Sequence, residues 1–353
     1  MKAARLEHLG AALKVENIGE PQLRAGGAIV RILAARVASY TDQVISGELG
    51  FTTPTPCTLG PTAIGVIEAI ADDVFGLSAG QTVFCDAYIG SRTIGVTSDR
   101  ILIGWTGLGP DAGRTQSIWR DGSFAEKALW PAECLTPIPD DLGLTPEALT
   151  YLGYSAIAYG GLIRGGLHSG QAVIVNGATG SIGASAVLLA LAMGAAKIVA
   201  VGRDGEMLDQ LRKLAPKRIA PVSLDAAPEV YTEELRRVAG GADLLLDVLG
   251  KVTTAAPTLA GIHALRRGGT AVFVGGVHAD IPLPYSKIML EELTIRGSFM
   301  YPKHAPSEII NMAQAGILDL SPIRPRTFAL DDIDNAIAQA KDLRGFEYAV
   351  LVP

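Results

Sequence analysis

The chain has 353 residues, 48% hydrophobic and 19% charged, with 30 basic and 36 acidic side chains and a net charge of −6. That length predicts two ordinary domains or one very large one, and the apolar content excludes a disordered chain. The acidic balance without a Lys/Arg run excludes an electrostatic nucleic-acid binder. Three widely spaced cysteines, Cys57, Cys85 and Cys134, exclude a disulfide framework or a CxxC metal knuckle.

The opening Met1-Lys2-Ala3-Ala4-Arg5-Leu6-Glu7-His8 lacks the apolar core of a signal peptide, so a cytoplasmic location is the expectation. Short strand-like runs follow at 27–33, 64–70 and 81–84, separated by Gly26-Gly27, Gly60-Pro61 and Ala79-Gly80. That spacing predicts a compact β-rich domain. Residues 86–122 show little periodicity and carry Trp105, Gly107, Gly109, Pro110, Gly113 and Trp119. A segment so long forms a functional loop or a lobe of its own. Trp105, Trp119 and Phe51 either line a pocket there or pack the lobe.

From Pro146 the character changes. A helix over 146–162 precedes alternating strand-like and helical runs at 172–175, 184–193, 197–201, 207–214, 242–248, 255–265, 270–274 and 288–293. Alternation of this kind predicts a parallel sheet with helices on both faces. The longest apolar stretch, 184–201, is broken by Gly194 and Lys197 and reads as a buried helix and strand, so no membrane span is expected. After Tyr301 come a helix at 306–314, a short strand at 327–328, a helix at 331–341 and a last strand at 349–352. This mixture fits a return to the first domain.

Within this stretch Asn176-Gly177-Ala178-Thr179-Gly180-Ser181-Ile182-Gly183 carries the strongest signal. Strand, glycine-rich turn and helix form the arrangement that holds a dinucleotide pyrophosphate. Gly177 and Gly180 let the backbone turn and approach the phosphates, and Gly183 lets the helix pack close to the strand. The second strand, expected about 20 residues on, supplies the context the motif requires.

Several segments resemble the medium-chain dehydrogenase/reductase superfamily, which includes zinc alcohol dehydrogenases and quinone reductases. Leu59-Gly60-Pro61-Thr62-Ala63-Ile64-Gly65-Val66-Ile67-Glu68 is similar to its LGHExxGxVxE segment. Asp121-Gly122-Ser123-Phe124-Ala125-Glu126 is similar to its G-(S/A)-(F/Y)-A-E segment, and 243–250 to its VDVVxDxxG strand. The resemblance implies an α/β chain of two domains. One is a GroES-like β-rich catalytic domain at 1–145, to which 302–353 returns. The other is a Rossmann domain, a doubly wound parallel sheet, at 146–301.

The departures bear on chemistry. In the zinc enzymes a Cys-His-(Ser/Thr)-Asp run supplies the first metal ligand; here Ser39-Tyr40-Thr41-Asp42 stands in its place. Pro61-Thr62 replace the His-Glu of the second ligand, and Gly153 stands at the third. Ser, Pro and Gly do not supply a catalytic zinc site. The lobe at 86–122 keeps the length of the structural-zinc lobe without its four cysteines, so no metal is expected.

Without a Lewis acid, hydrogen-bond donors must stabilise charge on the substrate oxygen. The resemblance makes Thr41, the family's proton-relay hydroxyl, a candidate, with Tyr40 beside it and Tyr154 near the lost third ligand. Each has a plainer alternative: Thr41 caps a turn, Tyr40 stacks beneath the cofactor, Tyr154 packs in its helix. Gly47-Glu48-Leu49 lacks the tyrosine that enoyl reductases carry after that glycine. Asp42, Glu68, His168, His263 and His278 read as structural or surface residues.

NAD enzymes place an acidic residue at the end of the second strand. Gly202 holds that position here and Arg203 follows, a guanidinium suited to a 2′-phosphate, so NADP(H) is expected over NAD. In the alternative, Arg203 stacks on adenine and Asp204 takes the ribose. The resemblance further implies that Gly180, Ser181 and Ile182 border the pyrophosphate, that Val248, Leu249 and Gly250 border the adenosine ribose, and that Val274, Gly275 and Gly276 hold the carboxamide. The strand around 293–300 resembles the family's edge strand, which implies a homodimer. The expected function is zinc-independent hydride transfer to a small enone or quinone. The alternatives are a zinc-free alcohol dehydrogenase or ketone reductase, and a non-catalytic nicotinamide-binding protein.

Overall fold

Gly27–Val37 is eleven residues long and apolar at nearly every position, so it sits inside a sheet with partners on both edges. The computed structural model, which describes residues 1–90, 99–250 and 252–353, puts it at the centre of a seven-stranded sheet. The order is Leu135–Pro137, Thr82–Cys85, Ala63–Ile70, Gly27–Val37, Glu347–Val352 and Arg324–Ala329, with Lys127–Pro131 also pairing Gly27–Val37. Arg324–Ala329 and Glu347–Val352 run parallel, and the helix Ile333–Ala340 makes the crossover that parallel neighbours require. The lobe at 86–122 holds a small sheet of Tyr88–Ile89, Arg100–Leu102 and Gly107–Leu108 and the helix Ala112–Ile118; residues 91–98 of that segment lie outside the described residues. Strands this short leave no readable period. Trp105 and Trp119 are buried in the core and Phe51 is exposed, so both tryptophans pack the lobe.

The chain divides into two units. The first comprises Met1–Gly153, Ile323–Leu343 and Glu347–Pro353, and the second Tyr154–Pro322 with Arg344–Phe346. Re-entry at Ile323 is later than the 302–353 segment expected from the sequence. The helix Ala305–Gln314 belongs to the second unit, where Glu308 accepts a hydrogen bond from the Tyr159 hydroxyl at 2.8 Å. The single helix expected at 146–162 is two, Pro146–Leu149 and Leu152–Arg164. Thr145 caps the first, accepting from the Ala148 N–H at 3.3 Å.

The second unit is a six-stranded, wholly parallel sheet. Its order is Ile219–Ser223, Lys197–Gly202, Ala172–Asn176, Ala242–Asp247, Leu265–Phe273 and Thr294–Gly297. This is the doubly wound Rossmann order, whose direction of growth reverses between Ala172–Asn176 and Ala242–Asp247. Its core is aliphatic, built from Ile174, Val199, Val201, Leu245 and Ile262. Among the described residues no helix is long and apolar enough to cross a membrane.

Asp247 gathers three chain segments at the carboxyl end of this sheet. Its side chain is 2% exposed. It accepts the Leu249 N–H at 3.2 Å and Asn176 Nδ2 at 3.2 Å. Its backbone carbonyl accepts the N–H groups of Val274 at 2.9 Å and Gly275 at 3.1 Å. Burial pushes the carboxyl above the ordinary Asp range, against the hydrogen bonds donated to it. A raised carboxyl stabilises the fold fully below its unfolded-state pKa and loses that contribution as pH rises through the folded value. The stability advantage of the wild type over Asp247→Asn should therefore shrink as pH rises from about 4 towards neutrality. Urea unfolding at several pH values checks this; an advantage that grows with pH contradicts it.

Candidate functional site

The glycine turn is clamped to the second strand. The N–H groups of Gly177 and Ala178 both donate to the Val201 carbonyl, at 2.9 and 2.8 Å, and the Gly180 N–H closes onto the Gly177 carbonyl at 3.1 Å. Gly177 has φ +93, a conformation that strains any other residue. The helix Ser181–Ala192 starts at Gly180, which has no side chain to cap it. The N-cap supplies no side-chain acceptor, and the N-terminal end of a helix favours an anion.

The glycines of this region divide by what surrounds them. A Cβ at 183 would overlap the Gly177 carbonyl oxygen and crowd the Ala178 Cα. Gly183 therefore lets the helix press on the turn, whereas the sequence reading gave the strand as its partner. A Cβ at 275 would overlap the Leu249 carbonyl oxygen. At Gly180 the backbone is ordinary, φ −83, and a Cβ would meet only the Gly177 oxygen at 3.6 Å. At Gly250 and Gly276 it would meet nothing within 4 Å. These three glycines have no packing reason within the protein, and they follow three neighbouring parallel strands. They leave a cradle that side chains would fill, where a dinucleotide backbone fits.

The other expected cofactor positions share this end of the sheet. Ser181 and Ile182 are half-buried in the helix's first turn. Val248 and Leu249 are buried, Val274 is half-buried, and the Gly276 N–H donates to the Leu249 carbonyl at 2.9 Å. Gly202 is buried at the end of its strand and Arg203 is exposed. Asp204 caps the helix Gly205–Leu214, its Oδ1 accepting the Met207 N–H at 3.0 Å.

In the first unit, Ser39, Tyr40 and Thr41 lead into the helix Thr41–Ser46. The Thr41 hydroxyl is fully buried and donates to the Ala38 carbonyl at 2.6 Å, so it holds the turn. Tyr40 is half-buried, its ring set edge-on to Trp105 at 6.0 Å, and its hydroxyl makes no hydrogen bond among the described residues. Asp42 pairs with Lys341 at 2.8 Å, and Glu68 with Lys127 at 3.0 Å. Tyr154 is buried on the helix Leu152–Arg164, in the second unit. Thus Tyr40 and Thr41 stand together at one helix start, and Tyr154 stands in the other unit.

Arg36 was not singled out in the sequence. It is 3% exposed, as is Thr62, and its Nε donates to the Thr62 hydroxyl at 3.1 Å. A Cβ at Gly153 would lie 2.8 Å from that hydroxyl and 3.0 Å from that Nε. The Thr62 hydroxyl and the Arg36 Nε together crowd the space that a side chain at 153 would need. The available signal was one charged residue between Ala34-Ala35 and Val37-Ala38 in a buried strand.

Comparison with known proteins fits this geometry. Residues 181–315 match the family model described as zinc-binding dehydrogenase, and residues 24–140 match the alcohol dehydrogenase GroES-like domain. Together they span well over half of the chain. The chain belongs to the medium-chain dehydrogenase/reductase superfamily. It is 28% identical to an alcohol dehydrogenase of Moraxella sp. (strain TAE123) over 97% of each chain. It is 26% identical to an NAD-dependent alcohol dehydrogenase of Sulfurisphaera tokodaii over the whole of both. A probable D-xylulose reductase A of Aspergillus fumigatus is 28% identical, over 85% of this chain and 82% of that one. An alcohol dehydrogenase from Thermus sp. ATN1 has the same fold, with a TM-score of 0.80 at 24% identity over 100% and 99% of the two chains. The chain is an oxidoreductase of this superfamily with a nicotinamide-binding Rossmann unit.

The superfamily's zinc does not fit the residues present. Ser39, Pro61 and Gly153 hold the ligand positions, and the Arg36 guanidinium lies beside Gly153. Among the described residues no three His, Cys, Asp or Glu side chains cluster as a metal site. Burial pushes the Cys57 thiol up to about 12 and raises Cys85 as well. His168 and His278 are exposed, and His263 is half-buried at a helix end.

The glycines offer a direct test. Gly183→Ala should lower the melting temperature by several degrees, on the order of 1–3 kcal/mol of overpacking. Gly180→Ala should leave the melting temperature unchanged and weaken dinucleotide binding at least tenfold. Thermal unfolding and fluorescence titration read the two effects. Equal behaviour of the two variants in both assays contradicts the division.

Proposed function

We propose that the protein is a zinc-independent, NADP(H)-dependent oxidoreductase that transfers hydride to an activated carbonyl compound, an enone or a quinone. The observations that carry this reading are Ser39, Pro61 and Gly153 at the positions matching the family's metal ligands, with Arg36 hydrogen-bonded to Thr62 and packed beside Gly153. The nicotinamide supplies the hydride when bound. The chain's own task is to stabilise the negative charge that develops on the substrate oxygen. Tyr40 is the favoured donor because its hydroxyl is uncommitted among the described residues, whereas the Thr41 proton is held by Ala38. Hydride addition to a conjugated C=C gives a delocalised enolate, which a phenol can stabilise and then protonate. A saturated ketone gives a localised alkoxide and asks more of the donor.

The relatives' names favour a second reading, a ketone reductase or alcohol dehydrogenase without zinc. Steady-state rates on a matched enone and saturated ketone, measured in chelator with NADPH, separate the two. Turnover of the enone at least tenfold faster is expected; turnover of the ketone alone overturns the enone reading.

For the nucleotide, Gly202 offers no carboxylate, Arg203 is exposed, and Asp204 is engaged as a helix cap. Arg203→Ala should weaken NADPH binding about tenfold or more, as expected for loss of a charge-assisted contact, and leave NADH binding unchanged. Equal losses for both nucleotides refute the assignment.

A homodimer is the proposed assembly. Thr294–Gly297 is an edge strand, and the preceding helix Tyr285–Leu290 exposes Tyr285, Met289 and Leu290. An uncovered apolar edge of this kind invites pairing with a second copy. Sedimentation should give a dimer that Leu290→Glu weakens, and a monomeric wild type contradicts it.

A further inference from the structure

We propose that Thr179 is a nucleotide-specificity residue, acting by filling the space that a ribose-binding carboxylate at position 202 would need. The inference rests on the NADP(H) reading and deepens it. A Cβ built on Gly202 would lie 2.5 Å from the Thr179 Cγ2, 2.8 Å from its Oγ1 and 3.2 Å from its Cβ. The first two separations, to the methyl carbon and the hydroxyl oxygen, are closer than a Cβ tolerates.

Neither side is free to yield. The strand Lys197–Gly202 is hydrogen-bonded in parallel register on both edges, with Gly202 opposite Ser223 and Val201 opposite Asn176. The Gly202 carbonyl also accepts the Leu224 N–H at 2.8 Å. The turn that carries Thr179 is pinned to that same strand by the two N–H groups on the Val201 carbonyl. Threonine branches at Cβ, so rotating χ1 exchanges methyl for hydroxyl or hydrogen and keeps one heavy atom near Gly202 in most rotamers. Gly202 is therefore fixed by its neighbour. The absence of the acidic residue and the presence of Thr179 form a single steric unit.

The consequence for recognition is directional. With Asp204 turned to Met207, the corner presents the Thr179 hydroxyl and the Arg203 guanidinium around a strand end without a carboxylate. That set suits a 2′-phosphate and provides no acceptor at position 202 for a free 2′-hydroxyl.

A double-mutant cycle tests the coupling. Gly202→Asp, Thr179→Ala and the pair together are compared with wild type by thermal unfolding and by fluorescence titration with NADH and NADPH. Gly202→Asp alone should lose several degrees of melting temperature and gain no NADH affinity. The double variant should recover most of that loss and bind NADH at least tenfold more tightly than wild type. If Gly202→Asp alone is as stable as wild type and gains NADH affinity as the double does, Thr179 is not the block. A double variant that recovers neither stability nor NADH binding overturns the proposal equally. The underlying NADP(H) reading is judged separately, by the wild-type ratio of NADPH to NADH affinity. A ratio near one removes that reading, while the melting temperatures still decide whether Thr179 excludes a side chain at 202.

Discussion

A buried arginine and its hydrogen bond to Thr62 are the constraint on which the first unit's proposed chemistry depends. Arg36 lies in the middle of an apolar sheet, donates to Thr62 and abuts the bare backbone of Gly153. Burying a guanidinium is unfavourable unless hydrogen bonds replace its water, so this contact is part of how the strand tolerates the charge. Under the proposed zinc-free reading, hydroxyl donors would have to stabilise the substrate oxygen.

The second unit works by a different principle, in which backbone geometry replaces side-chain chemistry. Asp247 draws together the ends of Ala172–Asn176, Ala242–Asp247 and Leu265–Phe273, and close glycine contacts at 177, 183 and 275 lock the loops that follow. The surface they form is bare at Gly180, Gly250 and Gly276. Rigidity behind and vacancy in front are what a dinucleotide cradle requires, because a preformed site avoids an ordering penalty on binding.

The parts legible in the sequence were those encoded locally. The turn at 176–183 could be read because strand, glycines and helix are consecutive, and the alternation after Pro146 identified the parallel sheet. The strand Ile219–Ser223 and the helix Pro228–Ala239 carry no such local signal. The strand is short and interrupted by Pro221, and the helix carries its apolar residues sparsely among Glu and Arg. The departures at Ser39, Pro61 and Gly153 were visible as substitutions, but which group occupies the vacated space was not. That answer requires the contact of Arg36 with residues 26 and 117 positions away. Thr179 was hidden for the same reason, since its partner Gly202 lies on the next strand. Contacts between distant residues also explain the late return at Ile323, because composition does not reveal that the helix Ala305–Gln314 packs beside Tyr159.

The most direct measurement is metal content against turnover. Protein produced in zinc-supplemented medium is assayed by plasma mass spectrometry, and its NADPH-dependent reductase rate is followed before and after chelator treatment. The expected result is zinc well below one ion per chain and a rate unchanged by the chelator. One zinc per chain, whose removal abolishes turnover and whose return restores it, would contradict a hydroxyl-based, metal-free mechanism.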